Sequence, residues 1–241
     1  MADDLYSHIQ CLLDGLPDDL TAEQHAHATA FIRSPSNVFS RLEYDISWTR
    51  TIPHRINTGD NMPHFEQLRR HPMMQLPMID EHVEHMLEHD VIEPAALLWC
   101  SNVVMVRKQD GSMTFCIDHR KVNELIKKDK FPLPKIDTCL DTLNGCKYYS
   151  SRDFRWGYWQ TEIDERDHDK TTFVTRKRQW HFKLLSFSLC NAPSQFANIM
   201  ELVMSGLTID ICLVYIDDIL VFLKTFEERC DCLSIMFDRL E

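Results

Sequence analysis

The 241-residue sequence lacks several features that mark special classes of protein. With only 6 glycines and no biased stretch, it is not a collagen-like or low-complexity chain. No apolar run approaches the roughly 20 residues of a membrane helix, and the first residues lack the basic and apolar regions of a signal peptide. The nine cysteines have no zinc-ligand spacing, and their odd number argues against a closed disulfide set. We therefore expect an intracellular protein, cytoplasmic or nuclear and not secreted, with reduced thiols and no membrane partner.

Positive charge is scarce overall but unevenly distributed. The formal net charge is -11, from 26 Lys and Arg against 37 Asp and Glu. Residues 1–100 carry 6 basic and 16 acidic side chains, whereas residues 101–200 carry 17 and 12. Any surface that binds nucleic acid phosphates is therefore expected in the middle hundred residues.

Hydrophobic spacing predicts a mixture of helices and strands. Apolar residues at helical spacing predict a helix over 79–92, ended by Pro94. The apolar runs at 102–106 and 113–118 flank a turn sequence and predict a hairpin. The remaining predicted helices lie at 136–143, 193–203 and 225–240, and the remaining strands at 148–154, 173–175, 180–185, 211–215 and 219–223. This order has no regular crossover repeat, so the predicted class is α+β, with an antiparallel sheet backed by helices.

Three carboxylates stand where predicted strands end. Asp217 and Asp218 occupy the turn between two very hydrophobic strands, and Asp153 ends a strand that can join the same sheet. Hard divalent cations such as Mg²⁺ take oxygen ligands, so three such carboxylates in one place suit phosphoryl chemistry. Asp is also a common turn residue, and a purely structural role for each of the three is the alternative.

Eight stretches, in this order, resemble the fingers and palm of a reverse transcriptase from a Ty3/gypsy-type retrotransposon Pol polyprotein. They are HRINTGD (54–60), VIEP (91–94), VRKQDGS (106–112), FCIDHRKVN (115–123), FPLPKI (131–136), DFRWGYWQ (153–160), LCNAPSQF (189–196) and YIDD (215–218). The resemblance implies a right-hand polymerase fold with an antiparallel palm sheet. It also implies RNA-directed DNA polymerase activity, with an RNA or DNA template, a primer and deoxynucleoside triphosphates as partners, together with the rest of a Pol polyprotein.

The resemblance assigns roles at the three carboxylates. Asp153, Asp217 and Asp218 would be catalytic and would hold two Mg²⁺ ions, with Mn²⁺ as a substitute. Phe154 would contribute a backbone carbonyl to one metal ion and lie at the nucleotide site. Tyr158 would stand under the incoming sugar and exclude a 2′-hydroxyl, the alternative being an aromatic residue of the core.

Further residues are implied at the nucleotide. Arg107, Lys108 and Arg120 would lie near the triphosphate and template, although Arg120 has the alternative of pairing with Asp118. Ser188 would also face the nucleotide, where the family usually has Gly. Thr114 replaces a usual Arg, and the loss of that phosphate contact makes a catalytically inactive remnant, or a nucleic-acid-binding or interaction module, the alternative function.

The resemblance also divides the chain into segments. Residues 1–77 would be a linker upstream of the polymerase, and residues 78–241 the fingers and palm. The fingers would occupy about 78–145 and 165–190, and the palm about 146–164 and 191–241. The sequence is expected to end before the thumb, and the chain by itself is therefore expected to polymerise little.

Overall fold

The structure is a computed structural model that describes residues 7–17, 20–34, 38–41, 49–131, 141–208 and 211–240. The chain divides into two compact units. The first unit comprises Met1–Asp45, Pro132–Arg155 and Ala197–Glu241, and the second comprises Ile46–Phe131 and Trp156–Phe196. The finer division into linker, fingers and palm stays a prediction.

The described residues form α-helices, short 3-10 helices and strands. The α-helices are α1 (Gln10–Asp14), α2 (Ala22–Arg33), α3 (Leu76–Glu88), α4 (Arg120–Leu125), α5 (Ala192–Val203) and α6 (Phe226–Leu240). The 3-10 helices are Ser7–Ile9, Met73–Gln75, Gly157–Gln160 and Glu165–Thr171. The strands are β1 (Thr49–His54), β2 (Ile92–Ala95), β3 (Ser101–Arg107), β4 (Met113–Ile117), β5 (Tyr148–Asp153), β6 (Thr161–Ile163), β7 (Phe173–Val174), β8 (Gln179–Phe182), β9 (Cys212–Tyr215) and β10 (Asp218–Leu223).

Most of the predicted helices and strands are confirmed. The helix predicted at 136–143 falls mainly on residues 132–140, outside the described residues. Of the helices in the described parts of the chain, none has the length and apolar character to cross a membrane.

The first unit is built on an antiparallel three-stranded sheet in the order β5-β10-β9. The central strand β10 has the most apolar sequence of the three, and its Ile219, Val221 and Phe222 are buried. Helix α6 follows, and Thr225 caps it: Thr225 N–H donates to the Glu228 carboxylate while Glu228 N–H donates to the Thr225 hydroxyl. These two reciprocal hydrogen bonds form a capping box.

Part of the segment predicted as a linker packs into this first unit. Helix α2 begins with its own capping box, between Thr21 and Gln24. The ring of Phe31 stacks on that of Phe237 in α6, with 5.7 Å between ring centroids. Hydrophobic burial therefore holds α2 against α6, a contact that no local sequence pattern indicates.

The second unit contains a five-stranded sheet in the order β2-β8-β7-β3-β4. Strands β3 and β4 form the predicted hairpin, and Gly111 takes a φ of +88° in its turn, which suits a residue without a Cβ. Strand β3 pairs in parallel with β7, so this sheet is mixed. A second, parallel pair joins β1 to β6.

Helix α3 ends earlier than predicted. Asp90 takes a φ of +58°, and the following Val91 and Ile92 are buried as the chain enters β2. The predicted end at Pro94 is wrong because Val91 and Ile92 fit the helical spacing and are equally suited to a strand. Pro94 lies within β2, which is an edge strand where a missing N–H is tolerated.

A buried ion network in the second unit anchors residues 55–56 to the 3-10 helix Glu165–Thr171. Asp167, which is 1% exposed, accepts from Arg55 Nε at 2.6 Å and from Ile56 N–H at 2.9 Å, and it also pairs with Lys170. Burial opposes ionisation of Asp167, but these hydrogen bonds outweigh it and lower the pKa of the carboxyl.

Candidate active site

The hairpin of β9 and β10 presents Asp217 and Asp218 at its turn. Tyr215 and Asp218 are opposite each other in the ladder, which leaves Ile216 and Asp217 as the two residues of the turn. Ile216 has a φ of +54°, in the left-handed region. Turns of this kind usually place Gly at such a position, and a β-branched side chain is strained there. Strained backbone of this kind is concentrated at functional sites.

Asp153 lies beside this turn in the same sheet. It is the last residue of β5 and is directly opposite Asp218 in the antiparallel ladder. The next residue, Phe154, donates its N–H to the carbonyl oxygen of Asp217 at 3.2 Å. Residues that directly face each other in an antiparallel pair project to the same face, so Asp153 and Asp218 lie on one face of the sheet, where β5 ends and β10 begins. We call the site formed by Asp153, Asp217 and Asp218 the carboxylate edge.

The electrostatics of this edge are unfavourable to its own charges. Asp217 Oδ1 is buried and has no hydrogen-bond partner. Burial, and then the negative charges of Asp153 and Asp218, raise the pKa of Asp217 to about 6. Such a carboxylate is stabilised by a cation, and the unpartnered oxygen therefore fits a divalent metal ion.

The three carboxylates are adjacent but not tightly gathered. Among the described residues, the group of three His, Cys, Asp or Glu side chains whose ligand atoms all lie within 4.8 Å of one another is elsewhere, in the second unit. Asp153 and Asp218 are exposed, so neither side chain is held in place by packing.

The basic residues expected near the triphosphate lie in the second unit. Arg107 ends β3 and is exposed, as is Lys108 at the start of the hairpin turn. The Arg120 guanidinium donates two hydrogen bonds to Asp118, from Nε to Oδ1 at 2.7 Å and from Nη2 to Oδ2 at 2.8 Å. Arg120, which the resemblance places near the nucleotide, is thus paired with Asp118, the alternative given for it above.

Tyr158 is buried in an aromatic cluster of the second unit. Its ring lies 5.0 Å from that of Phe187 and 5.6 Å from that of Phe196, measured between centroids. Trp156, with a φ of +55°, stacks on Trp159 at 4.4 Å with an angle of 8° between the rings. The packing agrees with a core aromatic, and a role at the sugar stays a prediction.

The positions that depart from the family pattern are also in the second unit. The hydroxyls of Ser186 and Ser188 lie 3.3 Å apart, and the Ser188 carbonyl accepts from Asn123 Nδ2 at 2.8 Å. Thr114 faces Val106 in the hairpin, and its buried Oγ1 has no hydrogen-bond partner. Thr114 leaves β4 without a cationic side chain at this position.

Two features of the carboxylate edge were not anticipated from the sequence. Ile216 follows the predicted strand 211–215, and nothing in its neighbours signals a positive φ. The hydrogen bond from Phe154 to Asp217 joins residues 63 positions apart. This hydrogen bond depends on the pairing of β5 with β10, which is a long-range contact.

Comparison with solved structures defines the class of fold. A foamy virus protease-reverse transcriptase matches 98% of this chain with a TM-score of 0.85 at 22% identity, and the match covers 31% of that chain. A second structure, of the foamy viral enzyme in complex with an RNA/DNA hybrid, matches 99% of this chain with a TM-score of 0.86 at 20% identity, again over 31% of its length. The fold is therefore that of a reverse transcriptase polymerase, as predicted.

Comparison of sequences defines the family. Residues 106–241 match the family described as reverse transcriptase (RNA-dependent DNA polymerase). The Pol polyprotein of transposon 297 from Drosophila melanogaster is 32% identical over 85% of this chain, and that of transposon gypsy is 28% identical over 76%. An RNA-directed DNA polymerase homolog from Oenothera berteroana is 36% identical over 46% of this chain and 78% of its own length. This chain belongs to the reverse transcriptase family, and the predicted resemblance to gypsy-type retrotransposon Pol polyproteins is confirmed.

The match covers a small part of the polyproteins. The chain spans 20% of the transposon 297 polyprotein and 18% of the gypsy polyprotein. It therefore corresponds to one part of each of these polyproteins.

Proposed function

We propose that this chain carries the nucleotidyl transfer centre of an RNA-directed DNA polymerase. In this reaction a primer 3′-hydroxyl attacks the α-phosphate of a deoxynucleoside triphosphate, and pyrophosphate leaves. The observation that supports the proposal most strongly is the carboxylate edge, where Asp153 and Asp218 are opposite each other and Asp217 has an unsatisfied buried oxygen. Family membership independently supports the same chemistry.

Asp153, Asp217 and Asp218 are the residues that would hold divalent metal ions, with the carbonyl of Phe154 as a further oxygen ligand. Two Mg²⁺ ions bound there would supply electrostatic stabilisation of the attacking and leaving oxygens. The chain contributes the negative charge and its position. The ladder between β5 and β10 aligns Asp153 with Asp218, and the Phe154 hydrogen bond keeps Asp217 beside them.

The raised pKa of Asp217 has a consequence for this function. Below about pH 6 the carboxyl is largely protonated in the metal-free chain, because burial and two neighbouring carboxylates disfavour its charge. Metal ligands must be deprotonated, so a bound cation and a proton compete for this residue. We therefore expect the Mg²⁺ requirement to increase steeply as the pH falls toward 6.

In the second unit, exposed Arg107 and Lys108 are proposed to contact the triphosphate or the template phosphates. Arg120 is proposed to contribute only if its pair with Asp118 opens or is shared. Ser188, in place of a Gly, and Thr114, in place of an Arg, are proposed to weaken nucleotide binding.

Primer extension on an RNA template tests the proposal. The chain is assayed alone and joined to the segment that follows the matched region in a related Pol polyprotein, because it spans only 20% of the transposon 297 polyprotein. Asp217→Asn and Asp218→Asn should each lower the rate of extension by about 100-fold or more. Each removes a charge that holds the metal ions, which stabilise the transition state by several kcal/mol. Asp238→Asn, an exposed change on α6, is the matched control and should extend as the unchanged chain does.

A second readout separates the possible outcomes. Mg²⁺ should raise the melting temperature of the 241-residue chain, and Asp217→Asn should reduce that increase. Stabilisation by Mg²⁺ without any extension would favour an inactive remnant that retains the cation site. If the protein folds but shows neither stabilisation by Mg²⁺ nor primer extension, the proposed centre is excluded.

Tyr158 is proposed to exclude a ribose 2′-hydroxyl. In a version of the chain that extends primers, Tyr158→Ala should increase ribonucleotide incorporation, whereas Tyr158→Phe should not because it keeps the ring. Incorporation ratios for ribonucleotides against deoxynucleotides provide the measurement. If both variants discriminate as the unchanged chain does, Tyr158 is an aromatic residue of the core, as its packing on Phe187 and Phe196 also suggests.

A further inference from the structure

Two histidines and a glutamate converge in the second unit, outside the residues assigned above. Glu93 lies on β2, His181 on β8, and His168 on the 3-10 helix Glu165–Thr171. One ligand atom from each of the three lies within 4.8 Å of the others. They are separated by up to 88 positions in the chain, so no sequence spacing indicates the group.

The sheet and a backbone carbonyl hold these side chains in position. Glu93 and His181 are directly opposite each other in the antiparallel β2/β8 pair, and Glu93 Oε1 lies 2.7 Å from His181 Nε2. His168 Nε2 lies 2.9 Å from the carbonyl oxygen of Ile163. A carbonyl oxygen only accepts, so Nε2 carries the hydrogen and the lone pair of neutral His168 is on Nδ1. Metal-binding histidines typically have their other nitrogen oriented by a carbonyl in this way.

The group has unmet bonding capacity. His181 Nδ1 is buried and has no hydrogen-bond partner. The rings of His168 and His181 lie 5.2 Å apart between centroids, and His181 faces the Glu93 carboxylate through Nε2. Buried polar atoms of a folded protein are normally satisfied, and each exception needs an explanation.

A cleft rich in carboxylates lies beside His168. His168 also lines a cleft of about 230 Å³ with Glu162, Glu165 and Asp90. Lys183 lines the same cleft, but its ammonium is paired with Asp90 at 2.6 Å. Carboxylates therefore outnumber cationic groups in the cleft beside His168, which favours the approach of a cation.

We propose that Glu93, His168 and His181 form a Zn²⁺ site that stabilises the second unit. Imidazole and carboxylate ligands suit Zn²⁺, whereas Mg²⁺ prefers oxygen ligands alone, so this site differs in chemistry from the three aspartates. A bound ion links the edge strand β2, strand β8 and the 3-10 helix. That helix also carries Asp167 and Lys170, which anchor residues 55–56, so the link reinforces an existing network.

Zinc binding to the chelator-stripped 241-residue chain tests the proposal. The titration contains excess Mg²⁺, so that oxygen-only sites are occupied before Zn²⁺ is added. One equivalent of Zn²⁺ should bind. At a concentration 100 times the dissociation constant, Zn²⁺ should raise the melting temperature by about 5 to 10 °C.

Matched variants locate the site. Glu93→Gln and His168→Ala should each weaken Zn²⁺ binding by about 100-fold or more, because removing a ligand costs at least as much as removing a group that orients one. His85→Ala, which removes a half-exposed histidine of α3, is the control and should bind as the unchanged chain does. Glu93→Gln preserves size at a half-exposed position, so it tests the site without a large risk to folding.

Cobalt substitution distinguishes this site from the cysteines. Co²⁺ at the proposed site should give ligand-field absorption without thiolate-to-cobalt charge transfer. The proposal is wrong if charge transfer dominates, if the variants bind Zn²⁺ as the unchanged chain does, or if no Zn²⁺ binds in the micromolar range.

Discussion

The two units of the molecule treat their carboxylates in opposite ways. In the second unit, Arg120 hydrogen-bonds to Asp118 and Arg166 to Asp164, and these contacts hold the pKa of both carboxyls well below the usual range. In the first unit, Asp217 has a raised pKa of about 6, a buried oxygen without a partner, and two carboxylates as neighbours. The comparison indicates that the paired carboxylates Asp118 and Asp164 contribute to stability. Asp217 instead lowers stability, as groups at functional sites often do.

The largest effect is expected from removing Asp167, the buried carboxylate that pairs with Lys170 and Arg55 in the second unit. Asp167→Ala should lower the free energy of unfolding by about 3 to 5 kcal/mol, because it leaves Lys170 and Arg55 without their buried partner. Arg120→Ala, which removes an exposed partner of Asp118, should cost much less, because solvent screens an exposed ion pair. Urea unfolding of the two variants provides the comparison. Equal losses in the free energy of unfolding would mean that burial does not make the ion pairs of Asp167 more stabilising than the exposed pair of Arg120.

The next effect has the opposite sign and occurs in the first unit. Asp217→Asn should stabilise the metal-free chain at pH 7.5 by about 1 to 2 kcal/mol, because it removes a charge that the fold disfavours. The folded pKa of about 6 exceeds the unfolded value of 3.8, so the folded chain binds more protons between these values. The contribution of Asp217 to the free energy of unfolding should therefore fall as the pH rises from about 4 to 6, and this contribution should be absent in Asp217→Asn.

Thermal unfolding across that pH range, without divalent metal, measures the effect. Asp238→Asn is the control, as an exposed carboxylate of the same unit. A stability profile that is the same for Asp217→Asn and the unchanged chain would contradict the raised pKa. Adding Mg²⁺ should reverse the order, because only the unchanged chain then has a partner for Asp217.

The smallest effect concerns the turn. Ile216→Gly should raise the free energy of unfolding by up to about 1 kcal/mol, since relief of the left-handed strain exceeds the entropic cost of Gly. Ile216→Val keeps a β-branched residue at the same φ and should stabilise nothing. Urea unfolding measures both variants. A Gly variant less stable than the Val variant would mean that Ile216 packing outweighs its strain.

Local patterns in the sequence were sufficient for the elements with strong signals. The hairpin of β3 and β4 has two apolar runs and a Gly turn, and α6 has a capping box and helical spacing. The end of α3 was predicted incorrectly because Val91 and Ile92 continue the helical spacing while the chain enters β2. Local pattern cannot decide between the two, since burial against β8 determines it.

The sequence by itself determined the identity of the candidate site. Tyr215 through Asp218, the strand ending at Asp153 and the order of the motifs sufficed to predict the family, because these residue types and spacings are local properties of the chain. Only the tertiary structure decided the state of those residues: the partner of Arg120, the unpartnered oxygen of Asp217 and the strain at Ile216. It also brought Glu93, His168 and His181 together. The physical reason is that pKa, hydrogen bonding and metal geometry depend on distances between residues far apart in sequence, and strand pairing sets those distances.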